Sequence, residues 1–323
     1  MRIGLDTFTI RELGLDFIGQ LDFIKSHGLA GAQLHDVPTD LAEMRAIRAH
    51  ADKLGLFTRI AVTPCNPLYT GTEDSKLVEQ LSADIKNAAE CGWHELRTVM
   101  GDHLTRYEHA RPWRDHMNAT IQVVKKLEPV LREHGSRLNL ENHGDATTHD
   151  LVRIVETVGA KTTGICLDTG NLLVLGEDPV AAVRRAAPYV HLTHAKDAIL
   201  FFGENGIRRQ GKPPGGGVVD WPVVLKILAE HNPDLPLAIE DHKWFFDIPV
   251  FDETWHAEQP DLSAAELGRF VGLAAACQQK IQAGALPDPE TYEAIPYLEQ
   301  LEERLSAGRD YLQQAVGQLS QHN

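Results

Sequence analysis

Four polar residues each stand just past a short apolar run: Glu141 in LNLENH, Asp168 in GICLDTGN, His194 in VHLTHAKD and Glu240 in LAIEDH. Three carboxylates brought together repel one another unless a cation lies between them. With an imidazole they form a ligand set of hard oxygen and nitrogen donors. Such a set suits one divalent metal ion, with Mn, Mg, Co and Zn all compatible, better than copper or an iron–sulfur cluster. An ion held this way polarises a carbonyl and stabilises the oxyanion of an enediolate, so that an α-proton comes off near neutral pH. The base must reach the carbon acid. Glu141 and Glu240, set to flank a ligand, are the candidate acid/base pair as well as metal ligands.

Four side chains so far apart in sequence meet only if their strands are parallel neighbours. Strand patterns fall at 2–8, 31–36, 56–62, 94–100, 137–143, 163–171, 189–197 and 236–241. Helix patterns fall at 14–28, 39–54, 74–91, 114–134, 148–158, 178–187, 221–231 and 263–282. In the first helix, Leu15, Phe17, Ile18, Leu21 and Ile24 give one buried face. Eight β-then-α units predict an α/β protein with a (β/α)8 TIM barrel, whose strand ends share one catalytic rim. The alternative is a doubly wound open sheet. It lacks its Gly-rich phosphate fingerprint, because TFTIRELG follows the first strand.

The loops after strands seven (198–220) and eight (242–262) are long. The first carries Arg208, Arg209 and Lys212 before PPGGG; the second carries Trp244, Phe245, Phe246, Phe251 and Trp255. Long loops at this rim cover a ligand, or they pack in an oligomer. The barrel is expected over residues 1–282. A C-terminal helical extension, 283–323, would lay Leu298, Leu301, Leu305, Leu312 and Val316 on the barrel or on a neighbouring subunit of a homo-oligomer.

Further polar residues point to the rim. His35 and Asp36 end strand two, Arg59 lies in strand three and Arg97 in strand four. His143 follows Glu141 by two, so strand alternation turns both to one face. It is a general acid or second base, or else a group that orients Glu141. Lys196 either meets a substrate oxyanion or pairs with an Asp. Arg208 and Arg209 are candidates to clamp an anion, and His242 to close over the metal.

The chain has 323 residues, 43% hydrophobic and 24% charged, with a formal net charge of −15. That balance argues against a nucleic-acid partner. No apolar run approaches the roughly 20 residues that cross a bilayer, so no membrane partner is expected. MRIGLDTFTI lacks the layout of a signal peptide. Cys65, Cys91, Cys166 and Cys277 are widely spaced and read as reduced thiols of a cytoplasmic protein.

Taken in order, ENH after strand five, CLDTGN in strand six, the His194–Asp197 segment HAKD, the Gly-rich loop ending in Asp220-Trp221 and the Glu of strand eight resemble the xylose isomerase-like TIM-barrel superfamily. This is also called the sugar phosphate isomerase/epimerase or endonuclease IV-like group. The resemblance covers about residues 1–282. It implies that Glu141, Asp168, His194 and Glu240 bind the metal and that the first and last Glu act as bases, as in the ketose epimerases. Two departures matter. The family's endonucleases need further histidines, one at the position of Asn171 and a pair near Asp220, where this chain has none. With the acidic charge, a metal-dependent endonuclease becomes a remote alternative. The epimerases also carry a His at the Asn171 position to contact substrate. Asn171 still donates and accepts hydrogen bonds, but it does not titrate.

The expectation is a metal-dependent isomerase or epimerase acting through a metal-bound enediolate on a keto or aldo sugar or a sugar acid. The alternative is a lyase that loses carbon dioxide or water, or cleaves a C–C or C–O bond, from a 3-keto sugar acid or keto-sugar derivative. No phosphate cradle is evident, so a non-phosphorylated substrate is favoured.

Overall fold

The computed structural model describes residues 1–38, 40–108 and 110–319. Eight strands run parallel: β1 (Ile3–Asp6), β2 (Gly31–Leu34), β3 (Phe57–Ala61), β4 (Glu95–Thr98), β5 (Arg137–Glu141), β6 (Thr163–Asp168), β7 (Val190–Ala195) and, after a hairpin, β10 (Leu237–Ile239). They pair in chain order, and β10 closes the barrel onto β1 with Ile3 opposite Leu237. The fold is therefore the (β/α)8 TIM barrel that the pattern of elements predicts.

Outward-facing Leu5, Leu34, Ile60, Leu96, Leu138 and Leu140 are fully buried under the surrounding helices. These helices start where a short polar side chain takes over an unpaired backbone N–H. Asp40 accepts from Glu43, Asp178 from Ala181 and Asp220 from Val223. Thr147 and Asp150 cap the helix Thr148–Val158 reciprocally. Inside the barrel floor the Phe57 ring fills the space opposite two glycines. A Cβ on Gly31 would lie 2.3 Å from that ring, and one on Gly4 would lie 2.6 Å from the Gly31 carbonyl oxygen.

Three details depart from the sequence-based boundaries. The first helix begins only at Phe17, where Asp16 accepts from the Gly19 N–H, and a 3-10 turn over Thr7–Leu13, capped by Asp6 on the Phe8 N–H, precedes it. The eighth barrel strand stops at Ile239, which places Glu240 at its mouth. The segment after β7 is not an open loop. It folds into the hairpin β8 (Asp197–Gly203) and β9 (Gly206–Lys212), and β11 (Phe245–Ile248), from the segment after β10, adds antiparallel to β9.

The final helix, Tyr297–Leu319, buries Leu301, Leu305 and Leu312 in the barrel's main apolar core, while Leu298 stays exposed. Among the described residues no helix is long and apolar enough to cross a membrane.

Gly31→Ala forces a carbon into the Phe57 ring and should destabilise the fold by about 1–3 kcal/mol. Gly268→Ala, in a helix with nothing within 4 Å of the added carbon, should be neutral or stabilising. Urea unfolding of the two variants tests the contrast; equal midpoints would refute this account of the barrel floor.

Candidate metal centre and active site

Glu141 and Asp168 are the last residues of β5 and β6, His194 is the penultimate residue of β7, and Glu240 directly follows β10. The register sets Asp168 opposite His194, and His194 opposite Ala238. All four side chains are buried, and one donor atom from each lies within 4.8 Å of the others. Among the described residues, groups of metal-donor side chains gather only here; a second grouping, Glu141–Cys166–His194, shares two of the same residues.

His194 is the hub. Its Nδ1 lies 2.7 Å from Glu240 Oε2, 3.0 Å from Glu141 Oε1 and 3.8 Å from Asp168 Oδ2. Its Nε2 lies 3.1 Å from Asp6 Oδ2 and touches the Gln33 amide. Nδ1 is thus the nitrogen turned to the carboxylates, and Asp6 fixes the ring from behind. Burial opposes a charge on this imidazole, but Glu141 and Glu240 outweigh it and hold its pKa well above the ordinary value. Burial likewise opposes ionisation of the two glutamates. His194 and Arg97 still pull Glu141 down, and Lys196 and His194 pull Glu240 down.

Two cations complete the balance. Arg97 holds Glu141 Oε2, and Lys196 Nζ lies 2.7 Å from Asp168 Oδ2 and 2.5 Å from Glu240 Oε1. Asp168 Oδ1 accepts from the Gly170 and Asn171 N–H groups at 2.8 and 2.9 Å. Its Oδ2 accepts no hydrogen bond of good geometry, although the Lys196 ammonium is near. A divalent ion fits this set: hard oxygen donors, one imidazole fixed from behind, and a buried carboxylate oxygen whose near neighbour is the Lys196 ammonium alone among hydrogen-bond donors.

A cavity of about 830 Å³ opens beside the cluster. Glu240, Lys196, Asn171, His143, His35 and His242 line it, facing the aromatic rings of Phe8, Trp244 and Phe246. Glu141 lies behind this wall, fully buried. Both glutamates reach Nδ1 of His194, and of the two Glu240 is the one that lines the cavity. His143 donates from Nδ1–H to the Gly101 carbonyl oxygen at 3.0 Å, and that acceptor fixes a proton on Nδ1. The His35 ring lies tilted against Phe8, with centroids 4.6 Å apart, and burial lowers its pKa. Burial and then Lys196 push His242 well below the usual imidazole range; its Nε2 lies 3.7 Å from Glu240 Oε1.

Two predicted site residues are elsewhere. Ala61, not Arg59, pairs with Arg97. Arg59 is therefore one interior layer lower, bonded to the Thr58 carbonyl and next to Glu95. Arg208 points outward to Asp247 and Glu290; once the segment is a strand, its neighbour Arg209 is the one turned inward. Sequence reasoning also passed over Asp6, Gln33, His103 and Glu293. Asp6 carried the usable signal, an acid closing an apolar run like the four ligands. Glu293 gave none, since it reaches the cavity from the C-terminal extension.

A family model described as xylose isomerase-like TIM barrel matches residues 10–262. An inosose dehydratase of Clostridium botulinum (strain Alaska E43 / Type E3) is 26% identical over 137 residues, which is 38% of this chain and 46% of that protein. The chain thus spans less than half the length of the curated relatives it matches. A D-psicose 3-epimerase with D-tagatose from Clostridium cellulolyticum H10 superposes with a TM-score of 0.61 at 15% identity, over 87% of this chain and 99% of that one. A xylose isomerase-like TIM barrel protein from Mycobacterium smegmatis in complex with magnesium gives 0.60 at 17% identity, over 80% and 95%. At such identities the structures share the fold.

Loss of even an outer partner of a metal ligand costs roughly 10–100-fold in affinity, so Glu240→Gln should lose at least that for Mn²⁺ by titration calorimetry. Mn²⁺ at 100 times its Kd should stabilise the wild type by about 2.7 kcal/mol, read as a raised melting temperature. Unchanged Mn²⁺ binding in the variant removes Glu240 from the ligand set.

Proposed function

From the premise that this chain belongs to the xylose isomerase-like TIM barrel family, we propose that it is a divalent-metal-dependent enzyme that isomerises or epimerises a keto or aldo sugar or a sugar acid. The observation that carries this reading is the convergence of Glu141, Asp168, His194 and Glu240, from four strand ends, on one buried point beside a cavity. These four residues would hold the ion. When bound, it supplies Lewis acidity to a substrate carbonyl.

The rest of the chemistry falls to the chain's own groups. Glu240 is the ligand that faces the cavity, so it takes the proton α to the carbonyl. Burial alone would leave it protonated; Lys196 and His194 keep it ionised and ready to accept. Glu141, kept ionised by His194 and Arg97, is the second carboxylate of the pair. His143 is the further proton carrier: with Nδ1 committed to Gly101, Nε2 is its exchanging nitrogen. Lys196 stabilises negative charge that develops on substrate oxygen. The aromatic wall of Phe8, Trp244 and Phe246 excludes water and takes the apolar face of a sugar ring.

A second reading rests on the resemblance to inosose dehydratases and on Lys196 and His143, two groups able to protonate a departing oxygen. In that case the same proton abstraction leads to loss of water or another leaving group from a keto-sugar derivative.

Incubating Mn²⁺-loaded protein with a panel of keto sugars and sugar acids in D2O separates the outcomes. Deuterium entering at the substrate α-carbon without other mass change supports the isomerase. Stoichiometric loss of water or carbon dioxide supports the lyase. Glu240→Gln should lower either activity by at least about 100-fold, within the usual range for a general base. Full activity in that variant overturns the assignment.

A further inference from the structure

Among the described residues, Arg209 is a deep guanidinium of the site region that neither ion-pairs nor hydrogen-bonds. Arg97, Arg106 and Arg304 are each ion-paired, to Glu141, Asp150 and Asp241. Arg209 has no exposed surface, and among the described residues none of its three guanidinium nitrogens has a hydrogen-bond partner. Burial disfavours its charge, and Asp168, Glu240, Asp197 and Asp241 act on it only from beyond hydrogen-bond distance. A buried charge in this state is costly, and an arginine does not shed its proton to escape.

Its position says what the charge is for. A Cβ on Gly170 would lie 3.0 Å from Arg209 Nη2 and 2.6 Å from the Lys196 stem. The two cationic side chains therefore pack together over a residue with no side chain. The guanidinium also faces the Phe246 ring, 5.4 Å from its centroid. Lys196, Asn171 and Phe246 all line the cavity, and Arg209 stands directly behind that wall, against Lys196 and the half-buried Phe246 ring.

We propose that Arg209, with Lys196 beside it, is an anion subsite that binds a carboxylate or phosphate group carried by the substrate. A guanidinium lacking acceptors offers a bidentate fork to such a group. The proposal rests on the sugar-enzyme reading above and narrows it to acidic substrates. It also gives Arg209 the role that adjacent arginines suggest, with the outward Arg208 as an internal control.

The test is titration calorimetry of Mn²⁺-loaded protein with three probes that differ at one carbon: D-fructose, D-fructuronate and D-fructose 6-phosphate. Wild type should bind at least one anionic probe tenfold or more tighter than fructose, and the better of the two identifies the anion as carboxylate or phosphate. Arg209→Gln should reduce that preference to twofold or less, Arg209→Lys should keep part of it, and Arg208→Gln should keep all of it. Mn²⁺ affinity should not fall in any of these variants. Equal binding of neutral and anionic probes by wild type, or a preference that survives Arg209→Gln, overturns the subsite. If Arg209→Gln does not fold, the wild-type comparison alone decides. Deuterium exchange into fructose judges the enzymatic reading separately: exchange without an anionic preference keeps the enzyme and discards the subsite.

Discussion

Negative charge concentrated where water cannot reach it is what the rest of this molecule has to accommodate. Asp6, Glu141, Asp168 and Glu240 all lie within the barrel mouth with almost no exposed surface. Each buried ion costs several kcal/mol unless charge and hydrogen bonds answer it. Arg97, Lys196 and the His194 imidazole do so from three directions. Asn142 adds a neutral stitch: its side-chain amide donates to the Asp168 carbonyl and accepts from the Asp168 N–H, tying two strand ends together. A site this expensive to assemble persists only on a rigid scaffold, and the closed barrel provides one.

The surroundings of the rim are braced with equal care. Asp197 directly follows Lys196. It accepts from the N–H groups of Ala198, Gly215 and Val219 and from the Trp221 indole. Burial lifts its pKa to about 6 despite these bonds. Asp241, directly after Glu240, is gripped by both arms of Arg304 from the final helix. Lys243 caps the carbonyls of Tyr292, Glu293 and Ile295. The last helices are therefore tied to the segment that carries a candidate ligand.

Much of this was legible in the sequence because strand and helix periods are local signals. Runs such as GICLD and LNLE are apolar enough to be buried strands, and the acid that closes each must then lie at a strand end. Convergence of Glu141, Asp168, His194 and Glu240 followed from counting eight βα units. What failed depended on long-range register. Arg59 missed the rim because barrel stagger places neighbouring strands at different heights. Arg208 and Arg209 stood as equal candidates while the segment read as a loop; in a strand, adjacent residues face opposite ways, and only Arg209 turns inward. Glu293 enters the cavity through tertiary packing that no local pattern announces.

The small sheet of β8, β9 and β11 joins two chain segments that leave the barrel at different strands. Phe246 sits opposite Arg209, and Asp247 opposite Arg208, along a shared hydrogen-bonded ladder. The two flaps of the cavity thus form one plate rather than separate lids. A substitution that shifts the pairing by a single position would exchange the inner and outer faces of that plate, so its selectivity is set by strand alignment as much as by side-chain identity.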